Sequence, residues 1–169
     1  MKLSAAAEFA VRGALVLAER RGQGPVTLEA ICSQRSISRQ YLAKIFSALV
    51  RAGLVTAVRG KLGGYSLARE PSAITLLDVI EAVEGPITLN LCQHDPPKCD
   101  RIGCALRPVW AGIQDDIRSR LGSLTLAACL AIELPTHEEP KTRWTIPTLP
   151  NRPPAQTGSG QASAFNSFA

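Results

Sequence analysis

The run from Ser38 to Arg69, SRQYLAKIFSALVRAGLVTAVRGKLGGYSLAR, leaves this chain few ways to fold. Ser38 suits a helix N-cap, and the helix it would open runs from Arg39 to Arg51. Leu42, Ile45, Phe46 and Leu49 fall on one face of it, with Gln40, Ala43, Lys44, Ser47 and Arg51 opposite. Gly53 suits the left-handed residue that closes a helix. The next stretch reads as two short strands about a glycine-rich turn, where Gly60, Gly63 and Gly64 permit positive φ and close backbone approach.

The residues before this run supply a second helix. Ser4 can cap a first helix over about residues 5–20, with Ala6, Phe9, Ala10, Gly13 and Leu17 spaced by ones, threes and fours. After the loop GQGP, Thr27 can cap a short helix carrying Leu28, Ile31 and Cys32 on one face, and SQRSIS then turns into the helix at Arg39. Cys32 reads as a small core residue. Two helices joined by a tight turn, the second basic on its exposed face, form a helix-turn-helix pattern. The hairpin bearing Arg59, Lys61 and Arg69 then reads as a wing, able to lie along phosphates or send an arginine into the minor groove. The helices alone could equally be an ordinary helical pair, and a hairpin alone is more commonly a plain solvated one; together they favour DNA.

Charge supports this. The net is +5, but residues 1–71 carry 11 Lys and Arg against 4 Asp and Glu, a net of +7, while residues 72–134 carry 5 against 8, a net of −3. The expected fold is mainly α with a small β-wing. The candidate DNA contacts are Ser38, Arg39, Gln40, Tyr41 and Lys44 on the recognition helix, with Arg59, Gly60 and Lys61 on the wing.

Thr75 can cap a further helix over about Leu76–Val83, with Asp78 placed for a capping box and Gly85-Pro86 as its stop. Leu76, Val79, Ile80 and Val83 form its apolar stripe. Pro108 suits the first turn of a long helix whose stripe is Trp110, Ile113, Ile117, Leu121 and Leu124. So long a stripe on a small domain implies a second copy, hence a homodimer. LTLAACLA adds a short helix containing Cys129, and from about Pro135 the chain is rich in Pro, Ser, Thr and Gly without apolar period. The expected organisation is a winged helix-turn-helix DNA-binding domain over 1–84, a metal-binding loop and dimerisation helix over 85–131, and a disordered tail over 132–169.

Between these helices lies LCQHDPPKCDRIGC, with Cys92, Cys99 and Cys104 in a polar loop. Three thiols in so few residues, with hardly an apolar neighbour, are suited to soft metals, iron–sulfur clusters foremost. The N-terminal stretch is amphipathic, broken by Glu8 and Arg12, and no run is long enough to span a membrane, so a reducing cytoplasm is expected. There, clustered cysteines read as metal or redox sites before disulfides. Zinc on the three cysteines and His94 is one alternative; a bare thiol switch is another. With only His94 and His137 as histidines, no nucleophile–base set and no phosphate-cradling loop, an enzyme is not expected.

ISRQYLAKIFSALVRAGLV, VRGKLGGYSLAR, ITLLDVIEAVEG and the three-cysteine loop together resemble the IscR/NsrR-type winged-helix transcription regulators, over residues 1 to about 131. The resemblance implies a cytoplasmic homodimeric repressor on double-stranded promoter DNA with a palindromic operator. It also implies a redox, iron or nitric oxide sensor built on a two-iron or four-iron cluster held by Cys92, Cys99 and Cys104. In the IscR branch the fourth ligand is a His three residues beyond the last cysteine, where this chain has Arg107. In the NsrR branch it is an acid on the first helix of the partner subunit, and Glu8 occupies the matching place. Where the family often carries Glu two residues after the recognition-helix Tyr, this chain has Ala43.

Overall fold

The computed structural model describes residues 3–32, 38–60, 63–100 and 103–132. All lie in one unit spanning Met1–Glu133; the second unit, Leu134–Ala169, and with it nearly all of the segment expected to be a disordered tail, is outside the described residues. Among the described residues, six helices and one hairpin follow in order: α1 (Ala5–Glu19), α2 (Leu28–Cys32), α3 (Arg39–Arg51), β1 (Val55–Val58), β2 (Gly64–Leu67), α4 (Leu76–Glu84), α5 (Leu106–Ser123) and α6 (Leu126–Leu130). Two 3-10 turns, Pro71–Ala73 and Leu91–Gln93, flank α4. The fold is mainly helical with a two-stranded wing.

Local signals place most of these ends. Ser4, Ser38 and Thr75 each accept a backbone N–H of the first turn, and Thr75 with Asp78 closes a full capping box. Gly53 and Gly85 take φ of 68° and 79°, beyond α3 and at the end of α4.

The core is built on α3. Leu42, Ile45, Phe46 and Leu49 are all buried, as the stripe requires. They face α1, which is enclosed more widely than its expected stripe: Ala7, Ala10, Gly13, Ala14, Val16, Leu17 and Ala18 are buried, while Ala6 and Phe9 are only half-buried. The reason is that α1 packs against α3, α4, α6 and β2, so it has several inward faces. Its small residues permit close approach. A Cβ at Gly13 would stand 2.8 Å from the Phe46 ring.

The wing is antiparallel, with Val55 opposite Leu67 and Val58 opposite Gly64. It is anchored from outside the hairpin. Val26 exchanges both backbone hydrogen bonds with Tyr65, each 2.8 Å, and the Tyr65 ring packs on Phe46 with centroids 4.9 Å apart. Gly64 is required by that approach, because a Cβ there would lie 2.6 Å from the Val26 carbonyl oxygen.

At the other end, α6 returns to the first helices. Leu126 is fully buried, its N–H donates to the Ile74 carbonyl at 2.9 Å, and the Leu76 N–H donates to the Leu124 carbonyl at 2.8 Å. Helix α5 contrasts with this: none of its residues is buried, and Trp110 and Ile113 are 37% and 41% exposed.

Candidate functional site

The recognition face of α3 begins at Ser38, whose hydroxyl accepts the Tyr41 N–H at 3.3 Å and is thereby committed to capping. Arg39, Gln40 and Lys44 are exposed. Tyr41 is 40% exposed, and its ring stands edge-on to Phe9 of α1. Arg39 pairs with Glu29 of α2, Nε to Oε1 at 2.8 Å. On the wing, Arg59 and Gly60 are exposed; Gly60 takes φ of 112° and its carbonyl accepts the Gly63 N–H at 2.9 Å. Lys61 lies outside the described residues. The exposed basic side chains Arg39, Lys44 and Arg59 thus belong to the two elements a winged helix presents to a duplex. Glu29 was not among the expected site residues. It is ten positions from Arg39 along the chain, a separation to which no periodicity rule applies.

The cysteine loop is tied to both neighbouring helices. Ile87 is buried, and its N–H donates to the Glu81 carboxylate of α4 at 3.0 Å. The same carboxylate pairs with Arg118 of α5. The Leu89 N–H donates to Gln114 of α5 at 3.1 Å. Further on, the Lys98 N–H donates to the Leu91 carbonyl at 2.9 Å and closes the loop around the cis Asp95–Pro96 bond. Gln93 spends its amide protons on Cys92 Sγ, 3.4 Å, and on the Arg107 carbonyl, 3.1 Å, so Cys92 is held beside the first turn of α5. An open groove of ≈ 570 Å³ runs there between Cys92, His94, Asp95 and Arg107. The His94 ring is 3.5 Å from the Thr88 hydroxyl.

Cys92, Cys99 and Cys104 are half-buried and free of disulfides. Their donor chemistry therefore fits an iron–sulfur cluster: thiols, available and partly shielded from water. The donors are not gathered, however. Among the described residues no three His, Cys, Asp or Glu side chains form a group able to hold a metal ion. Glu8 is exposed on α1 and pairs with Arg12 one turn on. Cys32 and Cys129 lie outside this loop; Cys32 packs on the core, and burial pushes the Cys129 thiol up.

Comparison with known proteins bears on the fold and the family. Residues 3–131 match the Rrf2 family, described as an iron-dependent transcriptional regulator. The chain is 36% identical over 127 residues to the HTH-type transcriptional regulator CymR of Bacillus subtilis, covering 75% of this chain and 87% of that one. It is 35% identical over 126 residues to the HTH-type transcriptional regulator IscR of Xenorhabdus nematophila, covering 75% and 77%. The solved structure of CymR, the global cysteine regulator of B. subtilis, superposes with a TM-score of 0.66 at 34% identity, over 76% of this chain and 95% of that one. The chain belongs to the Rrf2 family of winged-helix transcription regulators, proteins that bind DNA and are not enzymes.

Proposed function

We propose that this regulator is a homodimeric repressor whose affinity for a palindromic promoter operator is set by an iron–sulfur cluster on Cys92, Cys99 and Cys104, with Glu8 of the opposite subunit as fourth ligand. The observation that carries the reading is the placement of three free, half-buried thiols in a loop fastened to α4 at one end and to α5 at the other. When bound, the cluster would supply an iron open to nitric oxide, oxygen or loss to chelation. A carboxylate is a harder ligand than a thiolate and holds iron of such a cluster less firmly, so Glu8 would be the weak point of the set.

The chain's own residues link that loop to DNA. Glu81 joins α4 to the segment before Cys92 and to Arg118 on α5. Glu84 accepts the Ser4 N–H at 2.8 Å, so the end of α4 also holds the start of the helix carrying Glu8. A change in the loop therefore meets both the dimer helix and the DNA-binding helices. Two recognition helices in a dimer must match half-sites one helical turn apart, so a small shift between subunits lowers affinity.

A thiol switch is the second reading. It is favoured by the ungathered donors and by likeness to a cysteine regulator; zinc on the three cysteines and His94, which needs the donors gathered, is a separate third reading. Anaerobic purification separates the three. A brown protein with stoichiometric iron and sulfide supports the cluster; a colourless protein without zinc supports the switch; a colourless protein with one zinc per chain supports the third.

A further inference from the structure

We infer that Arg39 is a guanine-reading residue of the recognition helix and that Glu29, on the preceding helix, is its positioning residue. The inference rests on the DNA-binding assignment of the family and not on the chemistry of the cysteine loop.

Arg39 is the first residue of α3. In helix-turn-helix proteins the N-terminal residues of the recognition helix are those that meet base edges. Two neighbours are less available for readout, since the Ser38 hydroxyl is used in the cap and the Tyr41 ring is turned toward Phe9, while Gln40 is exposed beside Arg39. Arg39 is 71% exposed and is nonetheless oriented, because its Nε stands 2.8 Å from Oε1 of Glu29. A guanidinium carries one N–H on Nε and the remaining four on its two terminal nitrogens. With Nε engaged by the carboxylate, the terminal nitrogens stay available, and their spacing matches O6 and N7 of guanine.

A phosphate could accept the same donors, and here Glu29 decides the preference. Its charge lies beside the guanidinium and offsets the attraction to an anion. Hydrogen bonding to a neutral base edge is far less affected. The same charge also counters the cost of placing a cation at the start of α3, whose first turn holds no acid. Glu29 itself is 59% exposed, so the pair adds little stability to the free protein, and its effect falls on DNA recognition.

The test uses the full chain. The parent protein selects a preferred operator from random-sequence duplexes, and each single base-pair change is then measured by fluorescence anisotropy with the parent, Arg39→Gln and Glu29→Gln. In the parent, replacing one particular G·C pair in each half-site should cost about tenfold or more in affinity. Arg39→Gln should reduce that penalty to below about threefold while other positions keep theirs. Glu29→Gln should weaken discrimination at the same pair and leave it intact elsewhere. Thermal unfolding of both variants should match the parent, as both side chains are exposed. Two results overturn the inference. If Arg39→Gln weakens all sequences evenly and lowers the salt slope by about one, Arg39 is a phosphate contact. If Glu29→Gln tightens every duplex equally with the base panel unchanged, Glu29 only opposes the backbone charge.

Discussion

The ring of Phe9, next to Glu8 on α1, meets the ring of Tyr41 on the recognition helix edge-on, with centroids 6.4 Å apart and planes at 90°. The helix that carries the proposed fourth ligand therefore touches the DNA-reading helix directly. Phe9→Ala should destabilise the fold by about 1–2 kcal/mol, from the lost aromatic pair and half-buried area. It should also weaken operator binding beyond what Gln40→Ala does, since Tyr41 loses its support. Thermal unfolding and anisotropy on the same samples check both; unchanged DNA affinity would remove Phe9 from the route between α1 and α3.

Gly64→Ala should loosen the wing. The added Cβ would meet the Val26 carbonyl oxygen at 2.6 Å, and that atom belongs to backbone held by two hydrogen bonds to Tyr65. Overpacking of this kind costs about 1–3 kcal/mol. The expected readings are a lowered unfolding midpoint and faster amide exchange at Val26 and Tyr65. Normal protection at those two amides would show that the strand pair gives way without breaking.

Arg59→Ala and Lys44→Ala should each weaken operator binding. A residue that contacts phosphate should lower the salt slope of the affinity by about one, evenly across sequences. Arg59 acting within the minor groove should instead show a preference for A·T-rich flanks that the variant loses. Parent-like affinity in both variants would place the DNA surface elsewhere on the domain.

Ile113→Asp should convert the protein to monomers. Ile113 is 41% exposed in the single chain, so the new carboxylate would be solvated there and would be desolvated only against a second copy. Ile117 is half-buried within its own chain, which makes it the poorer probe. Sedimentation at micromolar concentration reads the oligomeric state, and operator affinity should fall by ~10-fold or more as half-sites are bound singly. A parent protein that sediments as a monomer would end the dimer proposal.

Glu8→Ala should leave the fold nearly intact, because it removes an exposed ion pair to Arg12, an interaction of about 0.3–0.5 kcal/mol at this spacing. After anaerobic reconstitution the variant should still bind iron and sulfide, through the three cysteines, but lose its absorption faster than the parent. Each Cys→Ala variant at 92, 99 or 104 should fail to assemble the cluster. If His94→Ala shortens the lifetime and Glu8→Ala does not, the fourth ligand sits in the loop.

Much of the domain was legible from residues three or four apart. The stripe Leu42, Ile45, Phe46, Leu49, the caps at Ser4, Ser38 and Thr75, and the stop at Gly53 all appear in the structure where local chemistry places them. Such signals operate within one helical turn, so the chain states them directly. The three thiols of the cysteine loop are visible in the sequence because they lie within a short run, but among the described residues they are not gathered into a metal-holding group.

What surrounds these elements depended on contacts that local spacing does not encode. The apolar pattern of α1 suggested one buried face, but packing on four neighbours buries seven of its 15 residues, several of them outside that stripe. Nothing near Val26 marks it as the partner of Tyr65, yet that pair anchors the wing. Nor does the sequence around Glu29 point to Arg39, or that around Glu81 to Arg118. Sequence alone determined which segments would be helix, hairpin and thiol-bearing loop, because capping, periodicity and turn geometry are settled among near neighbours. Only the tertiary structure decided which charges and rings meet, because those pairings form once burial of the shared core has brought distant segments within a few ångströms.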